Sequence, residues 1–250
     1  MFKKILFLLI ASVTILSCAS KKDILYYQDI KNNTQSSVVY APSQIQINDI
    51  LRVKIDALIP ESAKPFNMEI TTSLSSKNDV VQGYLVSQDG TIVLPILGTI
   101  KVVGLSTNEL QDLLVKMLND NGYIKDANVN VMVINSKVTV LGEVRNPGTY
   151  SFSEQNISLN QAIGYAGDLT INGKRSDVLL IRESNGVRTY IKLDLTSSSW
   201  FTSQYYYVKQ NDVIIVNPNG PKIMTSGYLS NIGGILSVLT FGLTVFLLVK

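Results

Sequence analysis

The sequence predicts an α+β protein: two small strand-rich units, each with one packed helix, followed by a C-terminal transmembrane helix. Three observations predict it. Period-two alternation of apolar and polar residues recurs from Ile45 onward, broken by turn residues. Two stretches, around Leu114 and around Ala162, carry apolar residues at helical spacing instead. The stretch from Ile223 to Val249 is largely apolar and holds no charged residue.

The chain opens with MFKKILFLLIASVTILSCAS. Lys3 and Lys4 precede an apolar run, Ile5 to Ile15, interrupted only by Ser12 and Thr14. The run is short of the roughly 20 apolar residues that span a bilayer. A charged start, a short apolar core and small residues after it predict a secretory signal peptide over residues 1–17. Cys18 is the only cysteine, so it has no intramolecular disulfide partner. Its setting, Ile15-Leu16-Ser17-Cys18, resembles the bacterial lipobox. That resemblance implies cleavage after Ser17 and lipidation of the Cys18 thiol; the other reading is an ordinary signal peptide with an incidental cysteine. Ala19 follows, where an aspartate retains some lipoproteins in the inner membrane, so the outer membrane is the expected destination.

Composition excludes several chemistries. There is no histidine, so Ser-His-Asp and Cys-His arrangements are impossible. Zinc sites built on His or Cys are excluded too, and no G-x-x-x-x-G-K-[ST] phosphate loop occurs. Carboxylates alone could serve an enzyme, and no pair of them stands out. No enzyme, catalytic residue, metal or cofactor is expected. The full chain has 22 basic against 19 acidic residues. Removing residues 1–17 takes Lys3 and Lys4 and brings the count near balance. No basic face for nucleic acid is expected.

Residues 18–40, with KNNTQSS at their centre, read as a lipidated tether. Tyr26 and Tyr27 either dock on a folded surface or pack within a loop. The first unit covers residues 41–135. IQINDILRVKI reads as strand, Asn48-Asp49 turn, strand. ALIPESAKPFNMEITTSLSSKN reads as an excursion. Gln88-Asp89-Gly90 is a hairpin signal. Thr91 to Leu94 and Thr99 to Val103 are strand-like. In STNELQDLLVKMLND, Ser106 or Thr107 caps a helix whose stripe is Leu110, Leu113, Leu114, Met117 and Leu118. Gly122 ends it, and Val129, Val131 and Val133 share one face of a further strand.

The second unit covers residues 136–218 and repeats that grammar. KVTVLGEVRNPGTYSF is strand, turn, strand, with the turn at Asn146-Pro147-Gly148. NISLNQAIGYAG is a short helix capped by Ser158, with Leu159, Ala162 and Ile163 inward and Gly167 at its end. A hairpin turns at Ser184-Asn185-Gly186, and VKQNDVIIVNP closes the unit. Asn48-Asp49-Ile50-Leu51 and Asn211-Asp212-Val213-Ile214 share a phrase, which by itself is also a common turn.

IQINDILRVKI followed by VSQDGTIVLPILGTIKVVGLSTNEL resembles the polysaccharide export domain of the Wza-type outer-membrane export lipoproteins. VTVLGEVRNPGTYSF followed by LNQAIGYAGDL resembles the soluble-ligand-binding β-grasp domain that follows it. The resemblance covers roughly residues 41 to 217. It implies a homo-oligomeric ring, a capsular or exopolysaccharide substrate, and an inner-membrane copolymerase and tyrosine kinase as partner. It also implies one C-terminal helix per subunit in an outer-membrane channel. One β-grasp unit stands here where well-known members carry two. A second expectation, from a different class, is a membrane-tethered periplasmic glycan-binding or adaptor protein without its own pore.

The expected transmembrane helix is 223–249, about 40 Å at about 1.5 Å per residue. Ser226, Ser230, Gly233, Ser237, Thr240 and Thr244 recur at steps of four and three and lie along one face. Three readings stand: a membrane anchor with a chance alignment, a packing face for close helix approach, or a pore lining wetted by hydroxyls. As a simple anchor the helix could sit in the inner membrane instead. Lys222 and Lys250, one at each end, give no orientation bias.

Overall fold

The computed structural model describes residues 21–32, 35, 37–38, 40, 42–68, 82–184 and 186–226. It also describes eight scattered positions between 233 and 245. The first unit is built on a three-stranded antiparallel sheet. Its central strand β1 (Ile50–Asp56) lies between β2 (Tyr84–Leu85) and β5 (Asn128–Val133). Alternation sets the faces: Leu51, Val53 and Ile55 are buried, and Val129 and Val131 stand opposite Ile55 and Val53. Strands β3 (Thr91–Leu94) and β4 (Gly98–Lys101) form a separate hairpin. The sequence expects strand on both sides of Asn48-Asp49. Ile45 instead bonds the segment before the helix, through Leu105 O at 2.8 Å and Gly104 N at 3.0 Å.

Helix α1 (Thr107–Asp120) covers this sheet. Ser106 caps it reciprocally: its hydroxyl accepts the Glu109 N–H at 3.2 Å, and the Glu109 carboxylate accepts the Ser106 N–H at 2.7 Å. Leu110, Leu114 and Leu118 are fully buried, while Leu113 and Met117 pack at the margin.

The second unit is a five-stranded mixed sheet in the order β10-β9-β12-β6-β7. These are β6 (Lys137–Gly142), β7 (Gly148–Ser151), β9 (Gly173–Ser184), β10 (Val187–Leu193) and β12 (Val213–Pro218). β12 runs parallel to β6 and antiparallel to β9. A small ladder joins β8 (Ile157–Ser158) to β11 (Tyr207–Val208). Helix α2 (Leu159–Tyr165) buries Leu159, Ala162 and Ile163. Ser158 and Gln161 repeat the reciprocal cap, at 3.2 and 2.7 Å. The two units thus share a cap and a helix-on-sheet plan but not a sheet topology. Each has its own apolar core.

Residues 21–30 lie against the second unit. Tyr27 N–H donates to Leu195 O and Gln28 N–H to Thr196 O. The Tyr27 ring meets Phe201 edge-on at 4.9 Å and Trp200 at 6.3 Å. Tyr26 donates to Asp168 at 2.6 Å and lies beneath the Arg175 guanidinium at 5.1 Å. Asp29 accepts from the Ser197 hydroxyl and the Ser198 N–H, both at 2.7 Å.

The expected transmembrane helix over 223–249 is corrected. The continuous helix past the second unit, α3, spans Gly220–Ser226. Asn219 starts it by accepting the Lys222 N–H at 3.0 Å. Seven residues rise about 10 Å, a third of a hydrocarbon core. Among the described residues no helix is long and apolar enough to cross a membrane.

Candidate functional site between the two units

The sequence-predicted site residues do not converge. Cys18 and Ser230 lie outside the described residues. Ser226, Gly233, Ser237, Thr240 and Thr244 are helical and exposed. The Ser226 hydroxyl donates to Lys222 O and Ile223 O. The Thr240 hydroxyl donates to Leu236 O and Ser237 O, and that of Thr244 to Thr240 O. These hydroxyls are therefore turned onto their own helical backbone.

The structure brings together a different set, and the shared Asn-Asp phrase builds it. In both copies the asparagine is left-handed, Asn48 at φ 69° and Asn211 at φ 63°. In both copies the aspartate carboxylate accepts the N–H three residues back: Gln46 to Asp49 at 2.9 Å, and Lys209 to Asp212 at 2.8 Å. Both aspartates are buried. The two turns meet at the boundary between the units. Gln210, inside the second turn, donates its Nε2 to Asp49 Oδ1 at 2.6 Å and accepts the Ser136 hydroxyl at 3.3 Å. The second turn is fixed from behind by Arg182. Its Nε and Nη2 bond the two Asp212 oxygens at 3.0 and 2.7 Å, and Nη2 also donates to Tyr207 O. Burial raises the Asp212 carboxyl, and the Arg182 guanidinium opposes that rise. Among the described residues no cation pairs with Asp49. Burial pushes its carboxyl up to about 6, against the downward pull of the Gln46 N–H and the Gln210 amide.

Beside this seam lies a cavity of about 260 Å³. The first unit contributes Gln44, the start of α1 and residues 130–133 of β5; the second contributes Phe152 to Asn156, Val208 and Gln210. Glu154 is the only carboxylate among the described lining residues, and no lysine or arginine stands among them. Tyr40 stands at the rim, 58% exposed. Its hydroxyl accepts the Asn156 Nδ2 at 2.8 Å, and its ring meets Tyr207 edge-on at 5.9 Å. Sequence reading missed the seam and the cavity. The doubled Asn-Asp phrase was the one signal that pointed to them. Among the described residues no cluster of acids, His or Cys could hold a metal.

Comparison with known proteins agrees with the fold. Residues 38–134 match the family described as Polysaccharide biosynthesis/export protein, and residues 137–192 match the SLBB domain. Segments similar to these two modules thus follow one another along the chain, the export module first. The chain is 31% identical over 161 residues to the EPS I polysaccharide export outer membrane protein EpsA of Ralstonia solanacearum. It is 30% identical over 151 residues to the polysialic acid transport protein KpsD of Escherichia coli. The first match covers 60% of this chain and 41% of that relative; the second covers 58% and 26%.

Proposed function

We propose that this chain is a subunit of a polysaccharide export assembly at the bacterial outer membrane. The observation that carries the reading is the export module joined to an SLBB module through a buried polar seam. The seam makes the pair suited to act as one wall segment of a larger body. In this reading copies close into a ring, polysaccharide passes along its axis, and lipid on Cys18 holds the ring at the membrane facing the periplasm. An inner-membrane copolymerase with a tyrosine kinase supplies the polymer. The chain performs no covalent chemistry.

Deleting the chain should stop surface polysaccharide and leave polymer inside the cell; unchanged surface polysaccharide would refute the export role. Light scattering and negative-stain microscopy of the full chain extracted from membranes should show closed rings. A stable monomer would overturn the ring and favour the second reading, a tethered glycan-binding adaptor. The polar cavity between the units is the observation on that side.

A further inference from the structure

We propose that the cavity between the two units binds a neutral stretch of oligosaccharide carrying hydroxyl or N-acetyl groups; only the source of that glycan rests on the export reading. Three independent features of the cavity lead there.

The first is its unspent polar capacity. Gln44, Asn108, Asn130 and Gln155 line its open side, all four exposed to solvent, and none spends its side-chain amide on a hydrogen bond among the described residues. Each amide offers two donors and an acceptor to a ligand. Thr107 and Asn108 add backbone N–H groups from the first turn of α1, where no intrahelical acceptor exists. A sugar presents hydroxyls that both donate and accept, which amides match better than ionised groups do.

The second is a prepared aromatic surface. Tyr40 is exposed at the rim yet held from two sides, by the Asn156 bond and by the Tyr207 ring edge. An aromatic face fixed before binding stacks on the apolar C–H face of a sugar ring with little ordering cost. The volume, about 260 Å³, suits a sugar ring or two with their waters.

The third is charge. No lysine or arginine stands among the described lining residues, and Glu154 contributes a carboxylate. The positive end of α1 is already answered by Glu109 within its cap. An acidic sugar would enter against Glu154 without a cation to meet it. The cavity therefore selects for neutral glycan.

The test uses the full chain in detergent micelles and ligand-observed saturation-transfer NMR. The probes are maltotetraose, chitotetraose and tetragalacturonate. At least one neutral tetrasaccharide should bind, and tetragalacturonate should bind at least tenfold more weakly. Tyr40→Ala and Asn108→Ala should each weaken neutral binding at least tenfold. Tyr190→Ala, at an exposed tyrosine on β10, should leave it unchanged. Glu154→Lys should raise tetragalacturonate affinity at least tenfold, a gain that misfolding cannot produce. Preference for the acidic probe in the unmodified chain would overturn the proposal. So would failure of both neutral probes to bind, or protection of cavity amides on self-association with no response to sugar. The two readings fail separately. Loss of export on deletion with no sugar bound removes the cavity proposal alone. Sugar bound in a chain whose deletion spares export removes the export reading alone.

Discussion

Asp49 is 1% exposed and carries its carboxylate into the seam between the units. Burial pushes its carboxyl up to about 6, above the ordinary carboxylate range. A carboxyl raised in this way contributes stability that is fully present below about pH 4 and lost as pH rises through about 6. Urea unfolding should therefore show stability falling between pH 4 and pH 7, by up to about 3 kcal/mol from this group. Asp49→Asn keeps an acceptor and removes the titration, so its stability should be flatter over that window. Equal slopes in the two proteins would refute the assignment. Arg182 has the opposite character, a buried cation already paired. Arg182→Ala strands the Asp212 carboxylate and should cost about 3–5 kcal/mol. Arg182→Met combined with Asp212→Leu should recover most of that loss. A single variant as stable as the unmodified chain would show that the pair carries little.

Elements form here from strong local signals, and their weak points are correspondingly local. Ser106→Ala and Ser158→Ala each remove one reciprocal cap and should each cost about 1 kcal/mol. The caps belong to separate units, so thermal unfolding of the double variant should show additive losses. Gly142 is a harsher case. It sits at φ +89° where β6 meets β12, and a Cβ there would stand 2.1 Å from Val216 O. Gly142→Ala should cost about 3 kcal/mol or more and loosen the parallel pairing, seen as faster amide exchange at Val216. The caps and both helix stripes were legible in the sequence because their partners lie three or four residues apart. The absence of charge from Ile223 to Val249 was legible as well, but it measures compatibility with lipid rather than continuity of a helix. The helix Gly220–Ser226 is the element that the described residues support.

At the scale of the whole molecule, residues 21–30 decide where an N-terminal anchor would act. Lys21 stands three positions after Cys18, at most about 11 Å of extended chain. With lipid on Cys18, the second unit would lie against the inner leaflet rather than hang from a long tether. Cys18→Ser should release the protein into the periplasmic fraction, and unchanged membrane pelleting would refute the anchor. Tyr27→Ala with Asp29→Ala should free the segment, raising its protease sensitivity while both cores stay folded.

By itself the sequence determined the alternation of two strand-rich units, the start of each helix and the exclusion of histidine chemistry. It also carried the motifs of the export and β-grasp modules. Those signals are periodic or contiguous, so one dimension holds them. The seam, the buried Arg182–Asp212 pair and the cavity were decided only by tertiary structure. Gln210 and Asp49 are 161 residues apart, and their contact exists because two separately packed cores bring two turns together. No local spacing encodes that meeting. It follows from the shapes of two surfaces, which exist only after each unit has buried its own apolar side chains.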